Sequence, residues 1–233
     1  MKKMPTLFIR VFYDHSIIDT INEVTPGCEW VLAGEGVATE KIDGTCTLFK
    51  DNRLWRRYDA KKGKPIPANA VPCQPAADAV TGHLPCWLPV SDSDQSDKWH
   101  RLAFENQIAS GYVFEENQTY ELCGPHFQAN PYELDHDQFF KHGEKILDNV
   151  PRDYDGIRRY LETHMIEGIV FHRGNGDMCK IKRSDFGFTW KVNKRHLNAV
   201  ANNDKCKSEE TNLFSSEESH DSVSYTHLRA HET

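Results

Sequence analysis

Apolar and polar residues alternate in several short stretches of the chain, which is the pattern of half-buried β-strands. Turn residues separate these stretches in pairs, so the sequence predicts three β-hairpins. They cover 43–59, turning at Asp51-Asn52, then 111–123, turning at Glu116-Asn117, and 168–182, turning at 174–177. The first hairpin follows an unusual stretch, "ATEKIDGTCTLF" (38–49), in which charged residues interrupt an apolar run. Charged side chains are rarely buried unless they are paired, so this stretch requires an explanation.

Two helices are predicted in the second half of the chain, at 135–149 and 152–164. In the second helix Tyr154, Ile157 and Leu161 share one face, which we expect to pack against the core. Residues 60–98 hold six of the eleven prolines and predict a long irregular insertion. The insertion contains a small apolar cluster of its own, at Leu84, Trp87, Leu88 and Val90. Hairpins combined with few helices predict an α+β fold.

The length of 233 residues suits one domain with a sizeable core, which we place at 1–200. Residues 203–233 are polar and predict a disordered tail, and the last ten, "SYTHLRAHET", resemble a translated sequencing-adapter tail. The sequence shows no apolar run of the ~20 residues that a membrane span needs and no signal peptide. Seven scattered cysteines without a Cys-x-x-Cys pair indicate reduced thiols. We therefore expect a monomer in the cytoplasm or nucleus, without membrane contact.

Charge is unevenly distributed along the chain. The formal net charge of −7 argues weakly against a nucleic-acid partner. However, 41–64 contains eight Lys/Arg against three Asp, and 171–196 contains seven against two, whereas the residues after Asn203 are acidic. Each basic segment could be a solvated face, or the two could converge on a polyphosphate.

Three short motifs follow one another, each on a predicted hairpin: "EKIDG" (40–44), "YELCG" (120–124), and "EGIVF" (167–171) followed by "KIK" (180–182). Each alone occurs often by chance, but their combination in this order is much rarer. A lysine that attacks phosphorus must be unprotonated, although the pKa of a free lysine is ~10.4. Nearby cations and partial burial lower that pKa. Lys41 would be such a site with Arg57, Lys180, Lys182 and a metal close by.

The order of these motifs resembles the covalent nucleotidyltransferases, the superfamily of polynucleotide ligases and RNA capping guanylyltransferases. A closer resemblance, from about Thr39 to Trp190, is to the animal-type ATP-dependent 5′-to-3′ RNA ligases, the RNA ligase 1 family. It is carried by "TEKIDGTC", "LWRRYD", "GHLPCWLPV", "NPYEL", "EGIVFHR" and "GFTW". It implies a nucleotidyltransferase (adenylyltransferase) domain in which antiparallel sheets with flanking helices surround a nucleotide cleft. It also implies a ligase that joins RNA 5′-phosphate and 3′-hydroxyl ends through a lysyl-AMP intermediate.

The resemblance assigns roles around the first motif. Lys41 would receive AMP from ATP, and Asp43 would position Lys41. Glu40 would read the adenine amine. Arg57 would contact the ribose, the α-phosphate or the RNA end. Gly44 would let the backbone approach the nucleotide closely.

The later motifs receive complementary roles by the same resemblance. Glu121 would hold the ribose hydroxyls, and Glu167 would bind Mg²⁺, with Mn²⁺ as an alternative. Lys180 and Lys182 would neutralise the α-phosphate as pyrophosphate leaves. The animal family has Lys-hydrophobic-His where this chain has Lys180-Ile181-Lys182, which matches the Lys-x-Lys of the wider superfamily instead.

Two phenylalanines and the histidines are further candidates for a role in the site. Phe127 and Phe171 are candidates for stacking on adenine, although core packing is the better explanation of each. The histidines form no His-x-x-x-His helix pair beside an acid, so the sequence indicates no zinc site.

Three functions remain open on the sequence alone. The first is the RNA ligase, and the second is another covalent nucleotidyltransferase, a DNA ligase or a capping guanylyltransferase. The third is a catalytically silent RNA-binding module. The sequence shows no oligonucleotide-binding barrel after Trp190, which disfavours the second reading.

Overall fold

Antiparallel β-sheets make up most of the protein in the computed structural model, which describes residues 1–13, 16–79 and 81–190. The strands are β1 (Phe8–Tyr13), β2 (Ser16–Val24), β3 (Val37–Lys41), β4 (Thr45–Lys50), β5 (Arg53–Ala60), β6 (Val71–Pro72), β7 (Leu84–Pro89), β8 (Gln118–Cys123), β9 (Gln138–Lys141), β10 (Gly168–His172) and β11 (Met178–Lys182). The α-helices are α1 (Glu29–Leu32), α2 (Lys98–Ala109) and α3 (Tyr154–Thr163). The fold is therefore α+β with few helices, as the sequence predicts. None of the helices in these ranges has the length and apolar content that a bilayer crossing requires.

The strands form a two-stranded sheet of β1 and β2 and two larger sheets. The small sheet has the order β11-β10-β3, and the large sheet has the order β6-β7-β5-β4-β8-β9. All the pairs between these strands are antiparallel. The chain passes from the small sheet to the large sheet between β3 and β4, and it returns between β9 and β10.

Each of the two larger sheets buries one face in its own apolar cluster. Behind the small sheet, Ile169, Phe171 and Ile181 pack with Ile157 and Leu161 of α3. Behind the large sheet, the buried cluster is Leu54, Val90, Ala103, Phe114, Tyr120, Leu122, Phe127 and Phe139, and Ala103 belongs to α2. Because side chains alternate along a strand, the residues on the opposite face of each sheet do not belong to that buried cluster, and this face is called core-free below.

The first and third predicted hairpins are confirmed. β4 pairs with β5, and β10 pairs with β11. Asp51 and Asn52 both have positive φ, at 54° and 55°, as a two-residue hairpin turn with this twist requires.

The second predicted hairpin is wrong in its first arm. Residues 111–115 form a turn and an extended segment instead of a strand, and β8 pairs with β4 and β9. Phe114 lies outside the strands and packs in the buried cluster behind the large sheet. Its burial between exposed neighbours gives this segment the alternation of a strand.

The helix predicted at 152–164 is confirmed as α3, but the helix predicted at 135–149 is wrong. Part of that segment is β9, which extends the large sheet, and Leu147 N donates to Ala38 O at 2.9 Å, beside β3. Sheet edges with free hydrogen-bonding groups thus override the local helical pattern.

The Pro-rich insertion predicted at 60–98 contains two strands, β6 and β7. The apolar cluster recognised in the sequence coincides with β7, which pairs along its length with β5. Helix α2, which begins at Lys98, was not predicted. The predicted tail at 203–233 lies outside the described residues.

Candidate active site

The segment 42–44 joins the two larger sheets directly. Lys41 is the last residue of β3 in the small sheet, and Thr45 is the first residue of β4 in the large sheet. The charged residues of 38–49 therefore interrupt the apolar run because Lys41 ends one strand and the hairpin begins in another sheet. A side chain on Gly44 would place its Cβ 2.5 Å from Leu122 O and 2.5 Å from Cys123 Sγ, so this crossing requires glycine.

The core-free faces of the two sheets enclose a cleft of about 510 Å³. The small sheet contributes Thr39, Lys41, Val170, His172 and Met178, and the large sheet contributes Leu48, Trp87, Gln118, Thr119 and Glu121. The cleft is therefore built on regular strands, which hold side chains more precisely than loops do.

Three lysines share the cleft-facing side of the small sheet. Lys41 lies opposite Gly168, and Gly168 lies opposite Lys182. Lys180 is two positions from Lys182, so its side chain emerges on the same face. Burial, followed by the nearby charges of Lys41, Lys182 and Arg10, lowers the pKa of Lys180 to about 8.

Lys41 is paired with the glutamate of the third motif. Its Nζ lies 2.5 Å from Glu167 Oε2, and the two side chains are 19% and 10% exposed. Burial is the largest single influence and lowers the pKa of Lys41, but Glu167, Glu121 and Asp43 together outweigh it and raise the pKa above its usual value. The expectation of a lowered pKa at Lys41 is therefore wrong for this state of the protein. The pKa of Lys180, in contrast to that of Lys41, is lowered.

Glu121 lies on the opposite wall, on β8. Its Oε1 accepts a hydrogen bond from Gly44 N at 3.1 Å, and its Oε2 lies 2.7 Å from His142 Nε2. The second motif is thus tied to the glycine of the first by a direct hydrogen bond. The sequence did not single out His142 as a partner of Glu121.

Glu40 lines the cleft, and its carboxylate lies 3.6 Å from Lys145 Nζ. Its neighbours Thr39 and Lys41 project from one face of β3, so the Glu40 side chain leaves β3 on the opposite face. Glu40 and Lys41 are therefore brought to the same edge of the cleft from different sides of one strand.

Asp43 is held by aromatic residues. Trp190 Nε1 donates to Asp43 Oδ2 at 2.7 Å, and the Asp43 amide donates to the Tyr132 hydroxyl at 2.9 Å. Trp190 belongs to the quoted "GFTW" stretch and Tyr132 to "NPYEL", but sequence reasoning gave neither residue a role. Both stretches reach the first motif from distant parts of the chain.

Arg57 is held by the first residue of the chain and by a carboxylate of its own strand. Its Nη1 donates to Met1 O at 2.7 Å and its Nε to Asp59 Oδ1 at 2.8 Å. It lines a smaller hollow of about 250 Å³ together with Lys2, Lys3 and Lys180. A basic hollow with Lys180 on its wall therefore adjoins the basic face of the small sheet.

Neither aromatic candidate for stacking lies in the cleft. Phe127 and Phe171 are 7% and 0% exposed and belong to the clusters behind the large and small sheets. Trp87 and His172 are the aromatic rings that line the cleft among the described residues, along with His142. Trp87 was noted in the sequence as part of an apolar cluster, and its position on β7 could not be inferred from that pattern.

These features define an α+β protein whose antiparallel sheets face each other across a cleft lined by Lys41, Glu40 and Glu121, an arrangement consistent with a nucleotidyltransferase-like domain. A family model described as RNA ligase 1 matches residues 112–231. The chain is 24% identical over 231 residues to RNA ligase 1 of Rattus norvegicus, with 70% of this chain and 71% of that protein covered. It is 25% identical over 228 residues to RNA ligase 1 of Danio rerio, with 69% and 70% covered. The chain belongs to the RNA ligase 1 family.

Proposed function

We propose that this protein is an ATP-dependent RNA ligase that joins RNA 5′-phosphate and 3′-hydroxyl ends through a lysyl-AMP intermediate. The observation that carries the proposal is the convergence of Lys41, Lys180 and Lys182 on one face of the small sheet, across the cleft from Glu121. Closely spaced cations of this kind stabilise the negative charge of a phosphoryl group in transfer.

In the first step Lys41 Nζ would form a bond to the α-phosphorus of ATP while the bond to the bridging oxygen breaks and pyrophosphate leaves. The amine proton would pass to a base, for which the carboxylate of Glu167, 2.5 Å from Nζ, is suitably placed. Lys180 and Lys182 would offset the charge that develops on the phosphate oxygens.

The nucleoside would extend from Lys41 towards the large sheet. Glu121 would accept hydrogen bonds from the ribose hydroxyls, and Glu40 would read the adenine amine. Trp87 and His172, which line the cleft, are better candidates for contact with the base than the two buried phenylalanines. Arg57 would contact the phosphates or the RNA end from the adjoining hollow.

Glu167 fits a divalent cation, because its buried carboxylate pairs with Lys41 through Oε2 and has a second oxygen that can bind a metal. Mg²⁺, or Mn²⁺ in its place, would supply charge neutralisation at the phosphates when bound. Asp43 would position Lys41 through the short segment between the sheets, held in turn by Trp190.

In the second step AMP would pass from Lys41 to the 5′-phosphate of an RNA end, which releases the lysine amine. In the third step a 3′-hydroxyl would attack that phosphate, forming the phosphodiester and releasing AMP. The net reaction consumes one ATP and yields AMP and pyrophosphate for each bond sealed.

The test begins with ATP labelled at the α-phosphate and intact-mass measurement of the protein. We expect label and a mass gain of one AMP in the presence of Mg²⁺, and loss of both in Lys41→Ala. Lys50→Ala, which removes an exposed lysine from the next strand, is the matched control and should label normally.

Substrates then separate the alternatives. Sealing of a nicked RNA but not of DNA supports the proposal, whereas sealing of DNA indicates a DNA ligase. Labelling by GTP in place of ATP indicates a capping enzyme. Absence of any covalent label, with RNA binding retained, would identify a catalytically silent RNA-binding module and would overturn the proposal.

A further inference from the structure

Cys46, Glu121 and His142 meet on the cleft face of the large sheet. Their Sγ, carboxylate oxygen and ring nitrogen all lie within 4.8 Å of one another. Cys46 lies directly opposite Glu121 in the pairing of β4 with β8. His142 follows β9, and its amide donates to Thr119 O at 3.2 Å, which sets it two positions along β8 on the same face.

The remaining polar atoms of the cluster already have partners that orient it. His142 Nδ1 lies 2.9 Å from Thr119 Oγ1, and Glu121 Oε1 accepts the Gly44 amide at 3.1 Å. Metal-binding histidines and carboxylates are usually fixed in this way through the atom that does not bind the metal. As a result Nε2 of the histidine and Oε2 of the glutamate point towards the same place, and they lie 2.7 Å apart.

We propose that these three side chains bind one zinc-class divalent cation, with a fourth position open to the cleft. Thiolate and imidazole ligands select zinc over the hard cation Mg²⁺. Zinc ligands at about 2.0–2.3 Å from the metal lie about 3.3–3.6 Å from each other in a tetrahedron. His142 Nε2 and Glu121 Oε2, which lie 2.7 Å apart, would therefore have to separate by less than about 1 Å. Sequence spacing pointed away from zinc, because the three ligands come from three different strands or strand ends instead of one helix.

A metal at this site would affect nucleoside binding, and this step of the inference rests on the proposed function. A cation on Glu121 Oε2 would take the place that the ribose hydroxyls need, and Oε1 already accepts the Gly44 amide. Zinc and the nucleoside should therefore exclude each other from this wall of the cleft.

The site is tested by adding Co²⁺ and Zn²⁺ to the reduced, full-length protein. Co²⁺ bound by a thiolate in a tetrahedral site gives a sulfur-to-metal charge-transfer band together with intense d–d bands. We expect these bands at one equivalent of metal, their displacement by Zn²⁺, and loss of the charge-transfer band in Cys46→Ser.

Two variants sharpen the result. His142→Gln should weaken binding at least tenfold, since even the loss of an outer-shell partner of a ligand commonly costs about 10- to 100-fold in metal affinity. Cys73→Ser, at a partly exposed cysteine outside the cluster, is the matched control and should bind as the unchanged protein does. Circular dichroism of each variant verifies the fold. Full retention of the bands in Cys46→Ser, or their absence from the unchanged protein, would overturn the site.

Adenosine, which lacks phosphates that chelate metal, tests the exclusion separately. We expect it to weaken Co²⁺ binding to the unchanged protein. Metal binding that persists unaltered by adenosine would leave the metal site intact and count against the nucleoside position in the proposed function. The two failures are therefore distinguishable.

Discussion

At the scale of single residues, the lysines of the small sheet differ in their surroundings. Lys41 is neutralised by Glu167, whereas Lys180 is buried among other cations. The motif order identified both residues, because antiparallel hairpins bring distant strand ends to one face. Which of the two pKa values is lowered could not be predicted, because it depends on the 2.5 Å contact with Glu167.

In the proposed function, the pH dependence of self-adenylation should reflect both lysines. The raised pKa of Lys41 means that its unprotonated fraction, and hence the rate, grows as pH rises through neutrality. The pKa of Lys180 at about 8 means that its charge is lost above that pH, so the rate should level off there. Lys180→Arg keeps a charge at every accessible pH, and its rate should continue to rise.

The initial rate of AMP transfer between about pH 6.5 and 9.5 measures this difference. Lys50→Arg, which makes the same chemical change at an exposed position, should keep the original profile. If Lys180→Arg levels off at the same pH as the unchanged protein, the assignment of the alkaline limb to Lys180 is wrong.

Gly44→Ala should damage both stability and the site. The added Cβ meets a backbone oxygen and a sulfur at 2.5 Å, so β4 and β8 must separate. We expect a loss of about 1–3 kcal/mol in the free energy of unfolding, as overpacked sites show. Urea denaturation measures it. An unchanged midpoint would show that the two strands can part without cost.

At the scale of elements, the sequence predicts those strands that are joined by turns of characteristic turn residues. The Asp51-Asn52 turn and the glycines around 174–176 made their hairpins recognisable. Helix α2 was missed because it buries just Ala103 fully and so lacks a clear apolar stripe. Prolines within and at the end of β7 make this segment look irregular in the sequence. β7 nevertheless pairs with β5 along its length, prolines included.

The start of α3 depends on Asp153, whose side chain accepts a hydrogen bond from Gly156 N at 2.8 Å. Asp153→Ala leaves that amide without its cap and should lower the free energy of unfolding by about 1 kcal/mol. Asp153→Asn keeps an oxygen acceptor and should lie within about 0.3 kcal/mol of the unchanged protein. Chemical denaturation compares the three. Equal losses in both variants would mean that charge, instead of capping, matters at this position.

At the scale of the whole molecule, the cleft has a separate apolar cluster behind each wall, and the site draws residues from both walls. Sequence order alone could suggest that the motifs converge. It could not reveal Trp190 on Asp43 or His142 on Glu121, because those contacts depend on how the strands of two sheets are arranged.

The large sheet is joined to helix α2 by a buried ion pair. Arg56 Nε lies 2.5 Å from Asp97 Oδ1, and Asp97 Oδ2 accepts the Ser91 amide at 2.8 Å. Asp97→Ala leaves a partly buried arginine without its counter-charge and should lower the free energy of unfolding by about 3 kcal/mol.

Glu115→Ala is the matched control, since it removes an acid from the Lys141 pair, where the glutamate side chain is 59% exposed. Its cost should stay below about 1 kcal/mol. Urea denaturation of both variants gives the comparison, and similar losses would mean that burial does not distinguish the two pairs.

The direct passage of the chain from β3 to β4 has a mechanical consequence. A nucleotide bonded to Lys41 would travel with the small sheet, while the hydrogen bonds of Glu121 belong to the large one. In the proposed function, any widening at 42–44 would therefore draw the sugar away from Glu121 while the covalent bond to Lys41 holds, so the nucleoside would lose its contacts with the large sheet before AMP is transferred.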